Sequence, residues 1–327
     1  MTTFGFKDVD DAYGRVKSLV LKTPLVSNEE INKITKANVF FKLENLQWTG
    51  SFKLRGASNK IGQLTKDEKN KGVVAYSSGN HAQAVAYASK LNNISSTIVM
   101  PKNAPSIKIN NTKRYGSEVV LYDPASDIRE DIANDIASTT KKTIIKPYDD
   151  LDIIAGQGTA GKEIAEELLD QNIRPDMYLC CCGGGALIAG TSTYLKHKFP
   201  DIDIYSVEPE EFNDTQLSFR SNFITPIKKG AQSICDALLA PQPGKVTFAS
   251  NQQTLTDGLT VSDKEVKSTI IALAENLKII TEPGGAVAAS ALLNKKLDVE
   301  NKTIIVMISG GNIDSKLFSS IAKEKNE

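Results

Sequence analysis

Short apolar runs rich in Val, Ile and Tyr recur along the chain, at residues 39–43, 73–76, 97–100, 119–122, 178–182, 204–207 and 304–308. Each is followed by Gly, Asn, Pro or Asp and then by apolar positions at helical spacing. Runs that stay apolar instead of alternating are strands covered on both faces, and their alternation with helices predicts an α/β fold of mainly parallel sheets flanked by helices. In such sheets ligands bind beyond the carboxyl ends of the strands, so the loops after these runs should carry the chemistry. Residues 72–141 hold strand and helix units of their own. They predict a small domain, residues 70–145, inserted between two parts of a large one, residues 1–66 and 150–327.

Three of those loops are distinctive. Ser77-Ser78-Gly79-Asn80-His81 follows one strand, and Ala84, Val85, Ala88 and Leu91 then recur at helical spacing, which makes Asn80 the expected N-cap. Gly183-Gly184-Gly185-Ala186 ends another strand and opens a helix, so several backbone amides converge on one point, as a phosphate requires. A merely flexible turn is the plainer reading, but three glycines cost conformational entropy there. Ser309-Gly310-Gly311-Asn312 follows the last strand. Gly156-Gln157-Gly158-Thr159-Ala160-Gly161 fits a dinucleotide fingerprint, yet the acidic residues 149–154 before it make a poor strand. It reads as a structural helix start.

Composition narrows the chemistry. With 327 residues, 40% hydrophobic and 24% charged, the chain can bury a large core in two domains. Lys plus Arg and Asp plus Glu are both 39, so no broad field favours nucleic acid or an acidic membrane. The N-terminus resembles no signal peptide and no apolar run suits a membrane span, so the cytoplasm is the expected compartment. Cys180, Cys181 and Cys182 are consecutive, which suits neither disulfides nor tetrahedral zinc; with Cys235 they read as small buried apolar side chains. His81 and His197 are the only histidines, and no Gly-x-Ser-x-Gly elbow is present, which argues against serine-hydrolase and histidine-metal chemistry.

Lys53 stands in Thr49-Gly50-Ser51-Phe52-Lys53-Leu54-Arg55-Gly56-Ala57. Ser51 is positioned to cap a helix, Phe52 offers an aromatic surface, and Gly50 and Gly56 permit close approach of another group. A partly desolvated amine there has a lowered pKa and becomes nucleophilic.

Together, Ser51-Phe52-Lys53, the Ser77–His81 loop, Gly183-Gly184-Gly185, Glu282-Pro283-Gly284-Gly285 and Ser309-Gly310-Gly311-Asn312 resemble the fold type II (tryptophan synthase β-like) pyridoxal-phosphate enzymes. The serine/threonine dehydratase and serine racemase family is the nearest group, over residues 23–314. The resemblance implies pyridoxal 5'-phosphate as cofactor, with Lys53 as its Schiff-base lysine, Phe52 beside the ring, Asn80 on the ring hydroxyl and Gly183, Gly184, Gly185 and Ala186 at the phosphate. Ser309 would face the pyridine nitrogen, and a neutral hydroxyl there makes the ring a weaker electron sink, which suits β-elimination. Ser77, Ser78, Gly79, Asn80 and His81 would hold the substrate carboxylate, with Arg129 a further candidate by family position. The freed Lys53 amine would remove the α-proton, the cofactor phosphate or a bound water would protonate the departing hydroxyl, and hydrolysis would release a 2-oxo acid and ammonia.

Ser78 matches the racemase residue that returns a proton on the opposite face, so racemisation is the nearest rival to dehydration of serine, threonine or 3-hydroxyaspartate. Glu208, the Phe212 carbonyl and Asp214 match a divalent-cation site whose hard oxygens suit Mg2+ or Ca2+. Ala186 replaces a usual fourth glycine, Cys235-Asp236-Ala237 replaces Ala-Asp-Gly, and Glu282–Gly285 also differs from the racemase version; these departures favour the dehydratase side. The chain ends soon after Asn312, so the regulatory domain of biosynthetic threonine dehydratases, and feedback by isoleucine, are not expected. A small amino-acid substrate and a homodimer follow from the resemblance. A nicotinamide-dependent oxidoreductase using residues 156–161 and a noncatalytic amino-acid-binding protein are the readings from other classes.

Overall fold

The computed structural model describes residues 4–104 and 106–324. The extreme ends of the expected large domain lie outside the described residues. Among those described, ten strands form two sheets. The larger contains β1 (Leu25–Ser27), β2 (Asn38–Leu43), β7 (Met177–Cys181), β8 (Asp203–Pro209), β9 (Asp257–Val261) and β10 (Thr303–Ile308). Its order is β1-β2-β10-β7-β8-β9. The smaller contains β3 (Val73–Tyr76), β4 (Ser96–Pro101), β5 (Glu118–Tyr122) and β6 (Thr143–Ile144), in the order β5-β4-β3-β6. Every pairing is parallel except β1 against β2. The apolar runs predicted as strands lie in β2, β3, β4, β5, β7, β8 and β10, with Cys182 one residue past the end of β7. β7 and most of β10 are buried on both faces, as parallel strands under helices must be.

The glycine run 156–161 opens no helix. It lies inside the helix Leu151–Asp170, which starts at Asp150, whose carboxylate accepts from the Asp152 and Ile153 amides. The reason is packing between helices. A Cβ on Gly156 would stand 2.6 Å from the Gly56 Cα, and one on Gly158 would stand 2.9 Å from the Gly190 carbonyl oxygen. The glycines thus let three helices, Lys53–Gly62, Leu151–Asp170 and Ala186–Lys198, cross almost backbone to backbone. With no strand leading into it, the run is no dinucleotide turn. Gly56 likewise admits Gln157 and the Ile153 carbonyl, not a ligand.

At that crossing the core is ionic. Arg55, fully buried, binds Glu44 through Nε and Nη2 at 2.8 and 2.7 Å and Glu163 through Nη1 and Nη2 at 2.8 and 2.7 Å. Lys42, also fully buried, donates to Glu163 and to the Thr23 carbonyl, both at 2.7 Å. Two cations and two carboxylates cancel, and each is multiply hydrogen-bonded, which is what keeps such a group tolerable away from water. Burial alone would raise the Glu44 carboxyl, but Arg55 holds it below the usual range. Replacing Arg55 with Met leaves Glu44 and Glu163 buried without their main counter-ion. Urea denaturation of Arg55→Met should show a loss of about 3–5 kcal/mol, and an unchanged midpoint would contradict this account.

Candidate active site

Lys53 is the first residue of the helix Lys53–Gly62, and Phe52, not Ser51, stands at its N-cap position. Ser51 instead pairs with Gly310 as an isolated bridge, and the Phe52 amide donates to the Ser309 carbonyl at 3.1 Å. The helix start is thereby bolted to the end of β10, which leaves Ser51 no freedom to cap. Gly50, at φ +73°, lies against the Asn312 side chain, where a Cβ would come within 2.5 Å of Oδ1. Asn80 is likewise inside its helix, Asn80–Leu91, with Gly79 at the cap position. Its side chain is drawn elsewhere: Nδ2 donates to Glu282 Oε1, and Oδ1 accepts from Asn312 Nδ2 at 2.8 Å.

These elements enclose a cavity of about 280 Å³ between the two sheets. Its wall includes Phe52, Lys53, the Ser77–His81 loop, Gly183 to Ala186, Ser309 and Arg129, so the residues expected at the cofactor and the substrate are brought together. Glu208, near the end of β8, and Phe212 and Asp214, just after it, lie apart. They share no wall with the cavity.

The chemistry of each group follows from its surroundings. The Lys53 amine donates to the Pro147 carbonyl at 2.8 Å and sits 5.2 Å from the Phe52 ring centre; burial pushes its pKa down to about 8. His81 Nε2 meets the Ile145 carbonyl at 2.9 Å, so that nitrogen must carry the proton while Nδ1 stays bare and unpartnered. Burial, with Lys53 adding to it, pushes the imidazole down to about 3 and keeps it neutral. Burial, then the neighbouring Asp236, pushes the Glu282 carboxyl up to about 7, and its Oε2 has no partner among the described residues. Arg129 binds Glu130 at 2.8 Å and lies over the Tyr76 ring at 5.6 Å.

The glycine loop fits a phosphate. Gly185 has φ +91° and caps the helix Ala186–Lys198, so the first amides of that helix open toward the loop. A Cβ on Gly184 would lie 2.2 Å from the Tyr148 ring, and one on Gly185 would lie 3.0 Å from Thr247 and Asn251. Both side-chain polar atoms of the buried Asn251, behind the loop, are unpartnered among the described residues. Ala186, already helical, needs only its amide to serve, so the missing fourth glycine removes no donor. All four cysteines are buried, as small apolar side chains would be, yet Cys181 also lines the cavity. Hydrogen bonds with Cys180 and Ser309 hold its thiol below the usual range against the effect of burial.

At the separate acidic site, Glu208 accepts the Thr215 and Gln216 amides at 2.8 Å each, while neither carboxylate oxygen of the buried Asp214 has a partner among the described residues. Burial and the proximity of Asp214 raise Glu208, and burial pushes Asp214 up to about 8. Among the described residues no cluster of three or more His, Cys, Asp or Glu side chains is placed to hold a metal.

Lys108, Asp236, Tyr76, Pro147, Tyr148 and the apolar wall at 238–241 also line the cavity and were not legible as site residues. Glu282 and Asp236 stood inside quoted motifs. Lys108 had no signal at all, being one of many helical lysines.

The family model described as "Pyridoxal-phosphate dependent enzyme" matches residues 16–310. Over 99% of this chain and 98% of its own length, the L-threo-3-hydroxyaspartate ammonia-lyase of Saccharomyces cerevisiae is 39% identical. The serine racemase of Schizosaccharomyces pombe is 40% identical over 96% of each chain. Among solved structures, the processed form of threonine deaminase isoform 2 from Solanum lycopersicum superposes with a TM-score of 0.91 at 31% identity, covering 97% of this chain and 87% of its own.

The amine carries a further expectation. Below about pH 8 Lys53 is protonated and cannot attack an aldehyde, and above it the free base dominates. The rate at which cofactor-free protein takes up pyridoxal phosphate, followed by absorbance, should therefore rise with pH through a midpoint near 8. A rate flat between pH 7 and 9 would contradict this.

Proposed function

The chain belongs to the pyridoxal-phosphate dependent enzymes, and we propose that it is an ammonia-lyase that removes water and ammonia from a small β-hydroxy amino acid to leave a 2-oxo acid. The observation that carries this is the single cavity into which the Lys53 amine, the glycine loop, the Ser77–His81 loop and Ser309 all open. In this reading Lys53 would hold the cofactor covalently, Gly183 to Ala186 would take its phosphate, Phe52 would pack on its ring, Asn80 would serve the ring hydroxyl through its second Nδ2 hydrogen, and Ser309 would face the ring nitrogen. When bound, pyridoxal phosphate supplies a conjugated sink for charge developing at the substrate α-carbon.

The chain's own groups do the rest. Amides at the start of the helix Asn80–Leu91, with the Ser77 and Ser78 hydroxyls, hold the substrate carboxylate at a helix N-terminus that favours negative charge. The amine of Lys53, neutral above about pH 8, takes the α-proton. His81 stays neutral and so does not compete as a cation for the carboxylate. Ser309 offers a hydroxyl where a carboxylate would enforce ring protonation, which favours prompt loss of the β-hydroxyl over a long-lived carbanion. Residues 70–145, carrying the four-stranded sheet, act as the small domain that brings the carboxylate loop over the reacting centre.

A second reading, serine racemisation, is supported by Ser78, which lines the cavity and can return a proton to the α-carbon. Partners in this reading are a small amino acid and a second copy of the chain. The exposed Leu46, Trp48 and Ile280, with Asn45 Nδ2 on the Ile280 carbonyl, supply an apolar patch for that second copy. The cytoplasm remains the proposed compartment; no helix among the described residues is long and apolar enough to cross a membrane. Pure L-serine offered to the purified holoenzyme should yield pyruvate faster than D-serine, and Lys53→Ala should lose both activity and the borohydride-sensitive absorbance. D-serine formed faster would favour the racemase reading, and an active Lys53→Ala enzyme would overturn both.

The acidic site fits a divalent cation. Asp214 has two buried oxygens without a partner among the described residues, and with Glu208 and the Phe212 carbonyl it would supply hard donors suited to Mg2+ or Ca2+. We assign it a structural cation. A chelator should lower the melting temperature and added Mg2+ or Ca2+ should restore it, through binding to the folded state alone. Asp214→Asn should abolish the difference, and a melting temperature indifferent to chelator would remove the site.

A further inference from the structure

One ion pair in the cavity is lopsided. Lys108, on the helix Ser106–Arg114 beside the smaller sheet, has a side chain only 10% exposed, while the carboxylate it binds, Asp236, is 52% exposed and belongs to the larger sheet's side of the cleft. A buried ammonium needs an anion, whereas a wet carboxylate is free to swing into water at little cost. The fixed member is the cation and the exchangeable member is the anion.

Its position matters equally. A Cβ built on Gly79 would lie 3.9 Å from Lys108 Nζ, so the amine stands at the loop expected to hold the substrate's α-carboxylate. That α-carboxylate already has amides and hydroxyls. Of the other cations on the wall, Lys53 is committed to the cofactor and Arg129 to Glu130 and Tyr76. Of the two ion-paired cations, Lys108 is the more deeply buried, at 10% exposed against 43% for Arg129, and so depends more on a resident anion.

Resting on the elimination reading above, we propose that Lys108 receives a second carboxylate, on the β-carbon of the substrate, and that Asp236 is its stand-in until substrate enters. The preferred substrate class is then a β-hydroxy amino dicarboxylate of the 3-hydroxyaspartate type, ahead of serine or threonine. The reaction balances: the α-C–H and β-C–O bonds break, water leaves, and hydrolysis of the released enamine restores that water while freeing ammonia and oxaloacetate. The acids facing Lys108 are Asp236, which departs, and Glu282, whose carboxyl at about 7 takes up a proton more readily than an ordinary glutamate and so repels the incoming anion less.

The test compares kcat/KM for 2-oxo acid release from L-threo-3-hydroxyaspartate, L-serine and L-threonine, using holoenzymes of the wild type, Lys108→Met and Lys108→Arg. The wild type should prefer the dicarboxylate. Lys108→Met should lower the dicarboxylate-to-serine ratio about 100-fold, chiefly through KM, with Lys108→Arg recovering most of it. If Lys108→Met fails to hold cofactor, the wild type still decides: L-malate should inhibit serine turnover far more strongly than L-lactate, which differs by one carboxylate. Equal inhibition, a wild-type preference for serine or threonine, or an equal loss on all three substrates overturns the assignment while leaving the lyase reading intact. No 2-oxo acid from any of the three sinks both.

Discussion

The buried pairing of Arg55 with Glu44 and Glu163 is the constraint on which the site depends. Arg55 lies two residues after Lys53, on the same short helix, and reaches the turn after β2 and the long helix Leu151–Asp170 at once. A guanidinium is suited to this because its planar fork can serve two carboxylates in fixed directions, where an ammonium would offer only a point charge. Lys42 completes the neutrality from β2. Such a network has little net stabilising value relative to a well-packed apolar core, but it tolerates only one arrangement. That arrangement sets the helix from whose first residue Lys53 projects.

The other end of that helix start is held by backbone. The Phe52 amide on the Ser309 carbonyl and the bridge between Ser51 and Gly310 tie Lys53 to the carboxyl end of β10, beside β7 and its glycine loop. The cavity therefore opens where parallel strands end, as α/β sheets require. Around it burial tunes the titratable groups in opposite senses, lowering Lys53 and His81 and raising Glu282. An amine that gives up its proton near pH 8, a neutral imidazole and an acid that titrates near 7 are thus brought together without any unusual residue type.

Legibility tracked burial. β3, β4, β7 and β10 were readable because parallel strands covered on both faces show as unbroken apolar runs, and β5, though partly exposed, keeps the same run of β-branched residues. β1, β6 and β9 were not: the first two are only three and two residues long, and β9 opens Asp-Gly with three of its five residues partly exposed. Gly156 to Gly161 was read as a helix start and not as a phosphate turn, yet it lies inside a helix, because glycines at a close helix crossing interrupt the apolar pattern just as glycines at a turn do. Ser51 and Asn80 carried capping chemistry in their residue types, yet tertiary partners claimed them first, the β10 loop for Ser51 and Glu282 with Asn312 for Asn80.

By itself the sequence determined the parallel α/β plan and the loops that line the cavity, because each rests on periodicity or on a local motif within a few residues, while Lys53 was singled out only by the resemblance of several motifs spread along the chain. Only the tertiary structure decided which residues from distant segments share a wall with Lys53. The pairing of Lys108 with Asp236 joins residues on opposite sides of the cleft, and the neutrality of His81 comes from burial and the nearby Lys53 amine. Burial and long-range charge pairing are properties of the folded arrangement, and no local pattern in the chain encodes them.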